Sequence, residues 1–214
     1  MFKRQYNLMD TLCLQFDQAV RTCFGKPVTT TRVNPATNID EQEMTDGQRK
    51  EVAGLMRVNH AGEVSAQALY QGQALTAKLA DVRDSMETAA QEENDHLDWC
   101  QSRLQELGSH TSYLTPFWYG GSFAIGALAG IAGDKWSLGF VAETEHQVVR
   151  HLEEHLQRLP ENDARSRAIL EQMKEDEAHH ATTAINAGGA PLPAPVKKLM
   201  QLTSKVMTRT AYWI

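Results

Sequence analysis

The chain has 214 residues, a formal charge of −6 and 42% hydrophobic residues. That length suits one domain with a full core, and the acidic balance excludes a general nucleic-acid binder, which is ordinarily basic. No zinc-finger spacing, P-loop or dinucleotide-binding glycine fingerprint occurs; the three cysteines, Cys13, Cys23 and Cys100, are too few for a four-cysteine metal site and read as reduced thiols on the cytosolic side.

In chain order, MFKRQYNLMDTLCLQF breaks its apolar run with Asp10 and is not expected to be a secretory signal. Residues 6–24 predict an amphipathic helix with Leu8, Leu12, Phe16, Ala19, Val20 and Cys23 along its stripe. The stretch from Gly25 to about Thr45 carries turn residues and two prolines and reads as a loop. Thr45 and Gln48 then have capping-box spacing before a helix over about 47–79. A further helix is expected over 81–107, stopped by Gly108. Phe117–Gly133 is apolar but holds five glycines and falls short of the ~20 residues a spanning helix needs, so it is read as non-spanning. Helices over about 136–159 and 162–187 follow, closed by Pro160 and by Gly188–Gly189. APLPAP is a stiff linker to a last helix over 196–213. Period-2 alternation is not sustained anywhere, so the expected class is all-α.

The chemistry lies in paired acids and histidines. Glu93-x-x-His96 and Glu177-x-x-His180 each place two metal-ligand types on one helical face, about a turn apart. Asp176 with His179 and Glu143 with His146 have the same spacing and compete with them. A dinuclear bundle also needs a lone acid on the helix before each pair. Glu63 precedes Glu93 by 30 positions and Glu145 precedes Glu177 by 32, with Glu143 as the rival to Glu145. Helical phase separates these alternatives. Glu145 continues the stripe of Leu138, Val141, Val148, Leu152 and Leu159, whereas Glu143 shares a face with Gln147, Arg150 and Glu154. Glu93 and His96 continue Met86, Ala89, Ala90, Leu97 and Cys100, whereas Glu92 lines up with Ser85, Thr88 and Asp95. Glu177 and His180 continue Ile169, Leu170, Met173 and Ala184, whereas Asp176 and His179 follow Gln172, Glu175 and Thr183 toward solvent. The inward set is Glu63, Glu93, His96, Glu145, Glu177 and His180. Four buried carboxylates without compensation would be prohibitively costly, and two divalent cations cancel their charge.

The expected architecture is a ferritin-like four-helix bundle over 47–187, with a long crossover containing the apolar segment 117–133. An N-terminal helix and loop (1–46) precede it, and a linker with an amphipathic C-terminal helix (188–214) follows. RVNHAGEVSA, EENDHLDW and the EDEAHH helix closely resemble the demethoxyubiquinol hydroxylases of ubiquinone biosynthesis, a di-iron carboxylate family, over about residues 47–187. The resemblance implies that the same six residues hold two iron ions. It also implies an O2-dependent monooxygenase that hydroxylates the ring of a prenylated demethoxy-benzoquinol. Other proteins of the same pathway are candidate partners, and a homo-oligomer is compatible with the reading.

A lipid-tailed substrate calls for a membrane-facing mouth, so a peripheral position on the cytoplasmic face of a bacterial-type cell membrane is expected. Phe117–Gly133 and the C-terminal helix are the segments suited to it. The latter sets Val196, Leu199, Met200, Val206, Met207 and Ile214 beside Lys197, Lys198, Lys205 and Arg209, with Tyr212 and Trp213 suited to the interface. His60 and His151 sit near the site without joining the ligand set, and Tyr70 on the Glu63 face reads mainly as core. The electron donor has no motif. Alternative readings are another ferritin-like oxidase or peroxidase, a non-enzymatic iron-binding protein, or a silent quinone-binding partner.

Overall fold

A computed structural model describes residues 7–30, 32–41 and 43–214, with the side chains of Leu8, Thr11 and Leu12 also left out. The expected helix start at residue 6 and the placement of the Leu8 and Leu12 side chains lie outside the described residues. Seven helices and no strand occur among the described residues: α1 (Leu8–Phe24), α2 (Asp46–Thr76), α3 (Ala80–Glu106), α4 (Thr115–Ala132), α5 (Asp134–Arg158), α6 (Ala164–Asn186) and α7 (Ala194–Ala211). The chain is an all-α, ferritin-like bundle.

Local chemistry sets the ends. At the start of α2, Gln48 N–H donates to Thr45 Oγ1 while Gln48 Oε1 accepts from Thr45 N–H at 2.9 Å, the capping box read from the sequence. Gly108 ends α3 with φ +68°: its N–H donates to Gln105 and that of Ser109 to Leu104, closing a Schellman motif. Gly188 repeats this after α6, with bonds to Ile185 and from Gly189 to Ala184.

The bundle helices are α2, α3, α5 and α6, packed α2 on α3 and α5 on α6. Their apolar residues form two layers. One contains Val52, Leu55 and Met56 of α2, Trp99 and Leu104 of α3, Leu152 of α5 and Ile169, Leu170 and Met173 of α6. The other contains Ala66 and Tyr70 of α2, Val82 and Met86 of α3, Leu138 and Val141 of α5 and Ala184 of α6. On each of the four helices the predicted ligands fall between its contributions to the two layers.

The apolar glycine-rich crossover, to which the sequence gives no secondary structure, is helix α4 lying along α2. Its backbone touches that of α2. A Cβ on Gly126 would lie 2.2 Å from the Leu69 carbonyl oxygen, and one on Gly72 would lie 2.3 Å from that of Phe123. On α1 the expected stripe is only partly used: Ala19 and Cys23 pack against Val64, Ala68, Leu97 and Tyr119, while Phe16 and Val20 are exposed.

The loop from Gly25 to Thr45 is fastened to the bundle. Thr30 donates to Asp95 through its N–H (2.8 Å) and hydroxyl (2.6 Å), and the buried Arg103 pairs with Glu41 and with Asp163. At the other end of the chain, Arg57 donates to the carbonyls of His110 (3.0 Å) and Tyr212 (2.7 Å), holding the end of α7 against α2. No described helix is long and apolar enough to cross a membrane.

The α2–α4 contact predicts opposite effects for two alanine substitutions. Gly126→Ala meets backbone and should destabilise by about 1–3 kcal/mol, as overpacking does. Gly120→Ala meets nothing within 4 Å and should gain about 0.5–1 kcal/mol from reduced chain entropy in a helix. Urea unfolding followed by circular dichroism measures both.

Candidate metal centre

Helical periodicity brings all six predicted residues to one place. Glu63 comes from α2, Glu93 and His96 from α3, Glu145 from α5, and Glu177 and His180 from α6; none is more than 8% exposed. They lie between the two apolar layers, largely removed from water.

The arrangement has two halves that share two acids. His96 Nδ1 faces Glu93 Oε2 at 3.1 Å, Glu177 Oε1 at 3.2 Å and Glu63 Oε2 at 3.3 Å. His180 Nδ1 faces Glu177 Oε2 at 3.1 Å and Glu93 Oε1 at 3.4 Å. Glu93 and Glu177 therefore each turn one oxygen to each histidine, the disposition of bridging carboxylates. Glu63 stands beside His96. Glu145 interacts electrostatically with His180 and accepts a hydrogen bond from the Tyr70 hydroxyl. Donor atoms of Glu63, Glu93, His96 and Glu177 all lie within 4.8 Å of one another and could hold a metal ion.

Burial and mutual repulsion among the acids dominate the electrostatics. Burial, joined by the charges of Glu93 and Glu177, pushes the Glu63 and Glu145 carboxyls well above the usual range. Burial acts on Glu93 the same way, but the nearby imidazoles of His180 and His96 overcome it and leave that carboxyl low. Desolvation likewise opposes charge on both imidazoles, yet the surrounding carboxylates raise them. Protons and divalent cations compete for these lone pairs.

Two oxygens test whether a cation fits. Glu93 Oε1 and Glu145 Oε2 are buried without a hydrogen-bond partner, a costly condition for an acceptor that a coordinated cation relieves. With two imidazoles and four carboxylates in reach, the donor set suits two divalent transition-metal ions.

Around the six residues the structure corrects four sequence expectations. Asp176 does not follow its helical face to solvent. Its side chain is 17% exposed and its Oδ2 lies 2.9 Å from His96 Nε2, with Arg32 at 2.6 Å and Gln172 on Oδ1 at 3.0 Å. Despite burial, His96 and Arg32 hold its carboxyl down at about 2. Glu92 behaves alike: its Oε2 lies 2.6 Å from His180 Nε2. The reason is shared. A residue one position before an inward ligand points into the seam between α3 and α6, and a carboxylate there reaches the histidine on the opposite helix. Asp95, grouped with the polar face, is buried because Thr30 covers it. Glu143 is buried too, since α7 lies over it and brings Lys197 to 2.7 Å. His179 and His146 are exposed, as phase predicts.

Tyr70 is more than core, given its bond to Glu145. His60 is buried and makes no hydrogen bond to the six residues; burial lowers it to about 4. His155, unmarked in the sequence reading, is buried with its Nδ1 2.9 Å from Asn59 Oδ1 and its ring centre 3.8 Å from that of His151. Burial lowers these two to about 2 and about 4, so both are neutral imidazoles.

A cavity of about 390 Å³ adjoins the site. Glu63, Asn59 and His151 are among its polar lining residues, and Leu69, Trp118, Phe140 and Met207 are among the apolar side chains that make up most of its wall, between α2, α4, α5 and α7. No countable motif announces it, because its walls come from four separated segments.

The family model described as ubiquinone biosynthesis protein COQ7 matches residues 50–211. A 3-demethoxyubiquinol 3-hydroxylase of Nitrosococcus oceani is 66% identical over 211 residues, covering 99% of this chain and 99% of the relative. Proteins of the same name from Nitrosomonas eutropha (56% over 206 residues, 96% of this chain and 99% of the relative) and Pseudomonas fluorescens (58% over 215 residues, 99% of both) are similar throughout their length. The chain belongs to the COQ7 family of ubiquinone biosynthesis proteins.

Proposed function

We propose that this chain is an O2-dependent monooxygenase that hydroxylates the ring of 3-demethoxyubiquinol, a prenylated benzoquinol, at a di-iron centre. In this reading Glu63, Glu93, His96 and Glu177 would hold one iron, and Glu145 and His180, together with Glu93 and Glu177, would hold the other. The observation that carries it is the pair of histidines sharing Glu93 and Glu177, with Glu63 beside them reaching the wall of a largely apolar cavity. Full-length similarity to proteins named 3-demethoxyubiquinol 3-hydroxylase supports the substrate class. A reduced di-iron pair, when bound, supplies the electrons and the coordination positions for O2 chemistry.

The chain's own residues do the rest. Asp176 and Glu92 keep a proton on each Nε2, so each Nδ1 lone pair is the one facing inward. Tyr70 orients Glu145 through its hydroxyl. The apolar cavity wall accepts the substrate's ring and the start of its tail and excludes water, while Asn59 and neutral His151 offer hydrogen bonds to ring oxygens. A rival role as an iron store has no use for such a cavity.

The substrate's tail places it in a bilayer, and the surface around the cavity fits a lipid face. Phe117, Leu128 and Ile131 of α4 and Leu199 and Leu202 of α7 are exposed, as is Trp213. Lys198, Lys205 and Arg209 offer charge to anionic headgroups. Peripheral attachment to the cytoplasmic face of the membrane follows from this reading.

Iron-loaded full-length protein, given a short-tailed demethoxyubiquinol, a reductant and O2, should yield the hydroxylated quinol by mass spectrometry; no product from a two-iron preparation would overturn the proposal. His179→Ala should keep two irons per chain by elemental analysis, whereas His180→Ala should keep fewer than two and lose product formation by about 100-fold or more, more than 2.7 kcal/mol of transition-state stabilisation. Replacing Leu199 and Leu202 together by Ser should weaken binding to anionic vesicles by about tenfold or more, since burying each leucine contributes on the order of 1.5 kcal/mol or above. Sedimentation with the vesicles measures this, and unchanged binding removes α7 from the membrane face.

A further inference from the structure

The two halves of the site are alike in their inner donors and unlike outside them. His96 is held from several sides. Its Nε2 meets Asp176, its ring lies 5.3 Å from that of Trp99, and its Nδ1 faces three carboxylates. Asp176 is itself fixed by Arg32 at 2.6 Å and by Gln172. The Arg32 guanidinium lies over the same Trp99 ring, 5.0 Å from its centre, so one indole supports both the histidine and the cation. The segment that carries Arg32 is anchored beside His96. Thr30 binds the buried Asp95 twice, and Asn94 donates to the Val28 carbonyl at 3.1 Å.

His180 has a looser outer shell. Its one outer hydrogen-bond partner among the described residues is Glu92, whose side chain is 39% exposed and makes no other hydrogen bond there, and the Tyr70 ring meets it only edge-on with centres 6.4 Å apart. A cleft of about 90 Å³, lined by Glu92, His179 and His180, opens this half to solvent. The remaining acid of that half, Glu145, is engaged by Tyr70, and the donors that already converge within 4.8 Å are those around His96.

We propose that Arg32 is a positioning residue which, through Asp176, fixes His96 and makes the His96 half the tighter of two unequal metal positions. This rests on the reading that the six residues hold two metal ions. The physical basis is preorganisation. An outer partner fixes ring orientation and tautomer before the ion arrives, and losing such a partner ordinarily costs about 10–100-fold in metal affinity. Arg32 supplies that fixation from outside the bundle, in a segment that precedes the residues matched by the family model. Its charge also reaches Glu92, without a hydrogen bond, so its effect falls mainly on the His96 half.

The test is an anaerobic titration of the metal-free full chain with Co2+, followed by visible absorbance and calorimetry. Wild type should bind two equivalents in separable tight and weak events. Arg32→Ala should weaken the tight event by about tenfold, leave the weak one within about twofold, and alter the absorption spectrum of the first equivalent. Arg32→Lys keeps a cation near Asp176 and should recover part of the loss, although it lacks the planar fork. Arg32 is a third exposed, so the fold should survive its removal; Asp176→Asn, which keeps the size of the side chain, should reproduce the effect on the tight event. Two equal events in wild type, an Arg32→Ala titration matching wild type, or equal weakening of both events would overturn the proposal alone. Fewer than two Co2+ per wild-type chain would overturn the two-metal reading and the proposal with it.

Discussion

Four glutamates and two histidines share a layer that apolar side chains close above and below, and the fold is arranged to make that layer tolerable. Isolated carboxylates in such a place are strongly disfavoured, and a pair broken by removal of one partner leaves its mate uncompensated. Here each acid is turned toward a histidine, a tyrosine hydroxyl or another acid, and two oxygens are left without donors. Such a layer contributes little to folding by itself. Cations that bind it stabilise the folded chain by an amount that grows with the logarithm of their concentration over their dissociation constant, which couples the folded state to metal supply.

The apolar layers have the complementary task. Trp99, Leu104, Leu152 and Leu170 on one side and Tyr70, Met86 and Leu138 on the other fix the four helices in rotation. That rotation places the six side chains. The remaining elements wrap this frame. α4 lies against α2 through backbone contact, and α7 is held near its two ends by Lys197 and by the Arg57 bond to Tyr212. Between them lies a largely apolar space that Glu63, Asn59 and His151 also line.

The inward residues were legible because a helix repeats every 3.6 residues: Glu145 falls on the stripe of Leu138 and Leu152, and Glu177 on that of Met173. The same reasoning failed for Asp176, Glu92, Asp95 and Glu143, whose surroundings depend on what other segments bring. Arg32 sits 144 positions from Asp176, and no periodicity links them. Glu143 falls on a polar face of α5 taken alone, and only α7, more than fifty residues later in the chain, covers it. α4 was harder to assign since glycine is a weak helix former; its glycines serve close approach to α2. His155 carries no motif, and its burial follows from pairing with Asn59 across the bundle.

The division into two apolar layers with one polar layer between them also makes helix length a part of the site. One residue added within α2, ahead of Glu63, would turn everything before it through about 100° relative to the ligand. Either Val52, Leu55 and Met56 would leave their layer or Glu63 would leave the centre. The same holds for α3, α5 and α6, each of which spans both layers. The turns at Ala77–Leu79 and Leu159–Asp163 separate these rigid spans, and the loop at 107–114 lies outside them. Insertions and deletions therefore have a spatial grammar here: they are absorbed between the helices, and inside them they are read as rotations.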